Sequence, residues 1–169
     1  MKKLMTLIIA LLLTSAFAWS QVAKMGVVNS GLIMQKSKRG TAIRMKMEEL
    51  KSHKKKQAQV MQQFIAKLQK DLTSPALNVT TRQKKTEELS QNQLKLKRFF
   101  EDSQKEMETK FQKELLKLQA QVLPLLNEVA KKKNLTMVFD LQRSGLAYVN
   151  ESIDITDEVI KAFDAKYPK

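Results

Sequence analysis

Side chains able to perform catalysis are scarce in this 169-residue chain. It has one histidine and no cysteine, and His53 lies in the lysine-rich stretch Ser52–Lys56 with no acidic residue three or four positions further on. Zinc sites of the Cys/His type generally need three or four such ligands, so the residue counts exclude them. Acidic pairs such as Glu87-Glu88 lie among lysines, as they do on solvent-exposed helices. We therefore predict no enzymatic activity, no metal and no cofactor.

The chain is strongly basic, with 31 Lys and Arg against 17 Asp and Glu and a net charge of +14. The excess is concentrated between residues 36 and 133, whereas the C-terminal segment is mildly acidic. The electric field of this positive charge attracts nucleic acid, anionic lipid head groups or acidic polypeptides, and salt weakens the attraction. The sequence lacks the glycine-rich loops and aromatic stacking residues of nucleic-acid-binding motifs, so we predict no physiological nucleic-acid partner.

The first residues have the composition of a signal peptide. Two lysines precede the apolar run Leu4–Leu13, and an Ala-Phe-Ala sequence with the small-x-small form follows at 16–18. The apolar segment is shorter than the about 20 residues that a membrane-spanning helix needs, which disfavours the alternative of an uncleaved anchor. We predict that residues 1–18 are removed by cleavage between Ala18 and Trp19 during export.

A long helical hairpin is predicted in the middle of the chain. No glycine occurs between Gly40 and Gly145, and Pro75 lies in the one turn-like segment, residues 73–78. We predict two arms over residues 36–133 with a tip near 73–80. Pro124 lies inside the second arm, where it removes a backbone donor and predicts a kink; the alternative is a helix that ends and restarts there.

Apolar spacing predicts how the two arms pair. Successive seam residues of the first arm are three or four positions apart if Lys54 and Gln57 are counted among them. The middle of this seam is therefore polar. The first-arm seam is then Ile43, Met47, Leu50, Lys54, Gln57, Met61, Phe64 and Leu68. The second-arm seam is Leu96, Phe100, Ser103, Met107, Phe111, Leu115, Leu118, Val122, Leu125 and Val129.

Short strands are predicted at both feet of the hairpin. A strand around Val27-Val28 leads into a helix capped by Asn29, and Asn134 is predicted to end the second arm in a left-handed conformation. The runs Leu135–Asp140 and Leu146–Val149 are predicted to form a β-hairpin, followed by a last helix capped by Thr156. The fold class is therefore α+β, with a small β body, residues 19–35 and 134–169, carrying a long coiled-coil hairpin. Because so small a core leaves exposed strand edges, we predict an oligomer.

Four stretches at the ends of the chain resemble the Skp (OmpH) family of periplasmic chaperones of Gram-negative bacteria. They are Lys24–Asn29 followed by Gly31, Met137–Asp140, Ala147–Asn150 and Asp154–Lys161. The resemblance covers essentially the whole chain after residue 18, although between these ends it is one of architecture only. It implies a homotrimer with a shared central barrel and three projecting arms. It further implies a holdase that binds unfolded outer-membrane proteins without ATP, with lipopolysaccharide or other anionic lipid as a further partner.

The resemblance also suggests which residues act. The trimer body would be built with the help of Val27, Val28, Val138, Phe139, Ala147 and Tyr148. Flexible methionines and aromatic residues suit irregular apolar partners. Diffuse client contacts are therefore predicted at Met45, Met47, Met61, Phe64, Phe100 and Met107. The alternative function is an envelope coiled-coil scaffold or adaptor that binds one folded partner through its arms.

Overall fold

Residues 23–168 form two short strands and four α-helices, and most of these residues lie in one helical hairpin. The structure is a computed structural model that describes residues 23–168, so the predicted signal peptide and its cleavage between Ala18 and Trp19 lie outside the described residues. The elements in chain order are β1 (Met25–Val28), α1 (Ser30–Lys36), α2 (Lys38–Leu72), α3 (Val79–Lys132), β2 (Met137–Asp140), a 3₁₀ turn (Glu151–Ile153) and α4 (Thr156–Lys166). The predicted α+β class with a long helical hairpin is confirmed.

Helices α2 and α3 run antiparallel and meet at a short polar tip. The 54 residues of α3 make it about 80 Å long. At the tip the Asn78 side chain accepts a hydrogen bond from the Thr81 N–H at 2.8 Å and caps α3. The Arg82 guanidinium donates to the carbonyl oxygens of Leu72 at 2.6 Å and Ser74 at 3.1 Å. These bonds tie the end of α2 to the start of α3.

The seam of α2 differs from the predicted one beyond Lys54. Ala58 and Ile65 are buried, whereas the predicted seam residues Gln57 and Phe64 are exposed. Two successive steps of four residues, from Leu50 to Lys54 to Ala58, place Ala58 in the seam where Gln57 was predicted, and the next step of three returns the seam to Met61. The prediction is therefore wrong at Gln57 and Phe64, whereas the predicted Leu68 is buried and the predicted Met61 is half-buried.

The seam of α3 is partly as predicted. Ser103 is buried, as the spacing required, but Phe99 is half-buried where Phe100 was expected and Phe100 is 48% exposed. Phe111 is also exposed, and the buried residue of the next turn is Glu114. A charged residue therefore replaces an apolar one in the lower part of the seam.

The helix that follows β1 is separate from the first arm, because Ser37 lies between α1 and α2. Ser37 is fully buried with ψ of 150°, and its hydroxyl accepts a hydrogen bond from the Gly40 N–H at 3.1 Å. The backbone of α1 passes so close that a Cβ on Gly40 would lie 2.1 Å from the Met34 carbonyl oxygen. The corner between the two helices therefore requires glycine at position 40.

The second arm is one continuous helix. Helix α3 passes through Pro124 with the adjacent Leu125 buried, so the alternative of a helix that ends and restarts there is wrong. Past the end of α3, Asn134 has φ of 55°, which confirms the predicted left-handed cap.

The strand pairing differs from the predicted β-hairpin. β2 pairs in parallel with β1, with Met25 opposite Met137 and Val28 opposite Asp140, and residues 146–149 are not a strand. The N–H groups of Arg143 and Ser144 both donate to the Asp140 carbonyl oxygen, which coils the chain away from β2 where a hairpin turn would have returned it. The prediction of a strand containing Ala147 and Tyr148 is wrong for the single chain.

The start of α4 also differs from the prediction. Thr156 is the first helical residue, and the cap residue Ile155 makes no side-chain capping bond. The Thr156 hydroxyl accepts a hydrogen bond from the Asn29 N–H at 2.9 Å, and the Asp154 carboxylate accepts from the Thr156 N–H at 2.8 Å. Thr156 therefore links α4 to the junction between β1 and α1.

The core lies where α4 packs on α1 and the basal end of α3. One cluster of buried residues joins the sheet, α1, α3 and α4 and contains Val28, Ile33, Val129, Ile155, Val159 and Ile160. A second cluster joins α4 to both arms and contains Ile43, Leu118, Leu125 and Phe163. Helix α4 therefore fixes the feet of the hairpin on the body.

Candidate functional site

Glu114 joins the two arms near their base. Its carboxylate lies 3.0 Å from the Lys46 ammonium, 3.7 Å from the Arg39 guanidinium and 3.6 Å from the Lys117 ammonium. The side chain is only 11% exposed. The hydrogen bond from Lys46, with the positive charges of Lys117 and Arg39, lowers the pKa of Glu114 below its usual value. Three cations thus share one buried carboxylate.

A second polar layer crosses the middle of the hairpin. The Lys54 ammonium lies 2.7 Å from the Glu106 carboxylate and 5.5 Å from the centre of the Phe99 ring. Hydrogen bonds from Lys110 and Lys54 lower the pKa of Glu106 to about 2. The buried Ser103 hydroxyl has no hydrogen-bond partner among the described residues. The layer contains Lys54, one of the two polar seam residues that the spacing of the first arm predicted, whereas the other, Gln57, is exposed.

The two carboxylates make arm pairing sensitive to acid. A carboxyl group whose pKa is lowered in the folded chain contributes stability above its unfolded pKa, 4.5 for glutamate, and loses it as the pH falls towards the folded value. We expect the thermal midpoint, followed by circular dichroism, to stay nearly constant from pH 8 to 6 and to fall below about pH 5. In E106Q/E114Q the midpoint should be lower at pH 7 and should decline less towards pH 3.

The matched control for this double variant is E101Q/E108Q, which removes two exposed carboxylates of α3 that form no ion pair among residues 23–168. It should retain the acid decline of the unmodified chain. An unchanged acid decline in E106Q/E114Q would show that the two layers do not govern arm pairing.

Large apolar side chains lie exposed along the arms, away from the seam. Of the residues predicted to contact clients, Met45 is 69% exposed, Phe64 43% and Phe100 48%. The other three, Met47, Met61 and Met107, are half-buried between the arms. The sequence reasoning missed five further exposed apolar residues of the arms because they do not continue the seam: Val60, Val79, Leu94, Leu116 and Leu123. Their positions outside the three-and-four spacing were the available signal.

The body presents an unpaired strand edge. β1 has β2 on one side and a bridge to Asp154 on the other, whereas in the described chain β2 pairs with β1 alone. Of the residues predicted for the trimer body, Val27 and Val28 are buried within the single chain and Val138 is half-buried. The remaining three are exposed: Phe139, Ala147 and Tyr148, the last at 82%. A backbone edge and apolar side chains thus lie on the surface of the body.

The described residues contain neither a candidate metal site nor a candidate membrane span. Between residues 23 and 168, no group of three or more histidine or acidic side chains is arranged to hold a metal ion. In the same part of the chain, no helix has an apolar stretch long enough for a membrane span.

Comparison with known proteins agrees with this architecture of a small body and a projecting arm. The family model described as "Outer membrane protein (OmpH-like)" matches residues 24–163. A solved structure from Caulobacter crescentus CB15, described provisionally as an outer membrane chaperone (OmpH-like), superposes with a TM-score of 0.77 at 18% identity and covers 86% of each chain. No curated protein matches the sequence. The chain belongs to the OmpH-like family.

Proposed function

We propose that the chain is an ATP-independent periplasmic holdase that binds unfolded outer-membrane proteins and prevents their aggregation. The observation that carries the proposal is the set of large apolar side chains exposed on a cationic hairpin, such as Met45, Phe64 and Phe100. Burying apolar surface contributes about 25 cal/mol per Å², and each of these side chains offers only a small area. A client is therefore held weakly at many points and can be released. Membership of the OmpH-like family and the likeness to a structure described as an outer membrane chaperone support it.

The proposal includes export to the periplasm and assembly into a trimer. Export rests on the signal-peptide pattern of residues 1–18. Assembly rests on the unpaired edge of β2 and on the exposed Phe139 and Tyr148, which a neighbouring copy would cover. Three copies would place three arms around one space, in which a client meets several apolar residues at once. Sedimentation of the chain without residues 1–18 over a dilution series measures the assembly.

The test of holding is the aggregation of a urea-unfolded outer-membrane protein on dilution, followed by light scattering without nucleotide. A threefold molar excess of the chain lacking residues 1–18 should suppress scattering, and unchanged scattering would contradict the proposal. The variant M45S/F64S/F100S removes exposed apolar area from the arms, so its apparent affinity for the client should fall about tenfold.

The matched control for the triple variant is Q57S/Q62S/Q104S, which shortens three exposed neutral side chains of the same helices. It should suppress aggregation as the unmodified chain does. Equal loss in both triple variants would mean that the apolar residues do not hold the client. A saturable complex with one native envelope protein, together with indifference to unfolded chains, would favour the scaffold function instead.

A further inference from the structure

An open groove of about 800 Å³ lies between the two arms on their basal half. Helix α2 forms one wall over Lys46–Lys56 and α3 forms the other over Lys110–Lys117. Five lysines and two glutamates line it, together with His53 and Ser52. Its charged residues are Lys46, Glu49, Lys56, Lys110, Lys113, Glu114 and Lys117.

The positive charge of this groove is only partly compensated from within. Glu114 is already shared by Lys46, Lys117 and Arg39, and Lys110 is paired with Glu106. Among residues 23–168, Lys56 and Lys113 form no ion pair, and both are exposed. One free ammonium therefore lies on each wall, and both are available to an anionic group from outside.

The floor of the groove is apolar and its length suits a short extended peptide. Met47 and Leu50 line it and are half-buried. The wall from Lys46 to Lys56 is about 15 Å long at 1.5 Å per residue, the length of about five residues of extended chain. Lysine stems pack along apolar surface while their ammonium groups reach outwards, so one ligand can contact both the floor and the charges.

We propose that this groove binds an extended acidic segment of a client, with apolar side chains at alternate positions, through the floor residues Met47 and Leu50 and the ammonium groups of Lys56 and Lys113. The inference rests on the proposed holdase function and names the kind of client segment that one part of the arm selects. In an extended chain alternate side chains point to opposite sides, so apolar ones can face the floor while carboxylates meet the lysines that fold over the walls. Each exposed ion pair contributes little, and several together give a contact that salt weakens.

A polypeptide fits the groove better than a lipid does. The space is not an enclosed cavity, and its apolar floor is formed by two side chains that are already half-buried. An acyl chain would need a deeper enclosed cavity to be withdrawn from water. Charges on both walls instead suit carboxylates that are spaced along an extended chain.

The experiment uses the full chain without residues 1–18 and two ten-residue peptides carrying the same neutral dye. One alternates leucine with aspartate, and the other alternates leucine with lysine. Fluorescence anisotropy should give at least tenfold tighter binding of the aspartate peptide at low salt, with the difference reduced at 0.5 M NaCl.

Charge-reversal variants locate the binding. K56E/K113E should weaken binding of the aspartate peptide about tenfold, because two attractions become repulsions. The control K55E/K97E changes the net charge by the same amount at exposed positions of the same two helices, outside the groove and unpaired among residues 23–168. It should weaken binding less than twofold. Circular dichroism checks that both variants fold.

Each alternative outcome has a definite meaning. Equal weakening by both double variants would attribute binding to overall charge and overturn the proposal. It would also be overturned if K56E/K113E impaired binding only to phosphatidylglycerol vesicles, since the occupant would then be a lipid. Suppression of aggregation without preference for the aspartate peptide would contradict the proposed selectivity of the groove and would still support the holdase function. Peptide binding that depends on the groove, without suppression of aggregation, would contradict the holdase function and would still support the selectivity of the groove.

Discussion

Replacing Phe163 with alanine is expected to lower the free energy of unfolding by about 3–5 kcal/mol, the range for removing a buried aromatic ring. Phe163 is fully buried in the cluster where α4 meets both arms, and its ring centre lies 5.2 Å from that of Tyr167. Because domains of this kind are stable by about 5–15 kcal/mol, the change removes a large share of the total. Urea denaturation followed by circular dichroism, at one fixed protein concentration, measures it.

The control for F163A is F100A, which removes the same side chain from a position that is 48% exposed. It should cost less than about 1 kcal/mol, in line with surface substitutions. Similar losses in the two variants would mean that the contact of α4 with the arms is not a principal source of stability.

Replacing Gly40 with alanine is expected to lower the free energy of unfolding by about 2 kcal/mol or more, although alanine is the better helix former by about 1 kcal/mol. The new Cβ would lie 2.1 Å from the Met34 carbonyl oxygen and 2.7 Å from its carbon, both backbone atoms that cannot rotate away. The corner between α1 and α2 must then open, which disturbs the buried Ser37 and its bond to Gly40. Thermal and urea unfolding of the variant measure the loss.

The change S52A in the exposed middle of α2 isolates helix propensity from packing. It should raise stability by a few tenths of a kcal/mol or leave it unchanged. Equal or greater stability of G40A would show that α1 moves aside without loss, and the close approach at this corner would then place no constraint on the sequence.

Features that depend on neighbouring residues were predictable from the sequence. Asn29 caps α1 by accepting from the Leu32 N–H at 3.0 Å, and Asn134 adopts the left-handed conformation expected past a helix end. The buried Ser103 followed from the three-and-four spacing, and the tip of the hairpin from a single proline-containing turn. Caps, turns and helical spacing act over a few residues, so the sequence alone determines them.

Features that depend on distant residues were predicted less well. Ala58, and not Gln57, enters the seam because two steps of four shift the stripe, and both choices fit the spacing upstream. The β-prone run Ala147–Val149 is not a strand in the single chain, since strand formation depends on a partner edge. Glu114 was assigned no role because its three cations come from two helices. The basic groove likewise exists only once the arms pair.

The parallel pairing of β1 with β2 closes a long loop, residues 29–136, which leaves β1 after Val28 and returns to β2 at Met137, opposite Met25. Closing a flexible loop of that length costs about 4 kcal/mol in chain entropy by the logarithmic relation, before any strand contact forms. If α2 and α3 pair stepwise from the tip towards the body, each step brings the two strands closer together. The paired arm then lowers the entropy cost of forming the sheet. We therefore expect the order of folding to run from tip to foot, with the body completed last, when β2 has arrived beside β1.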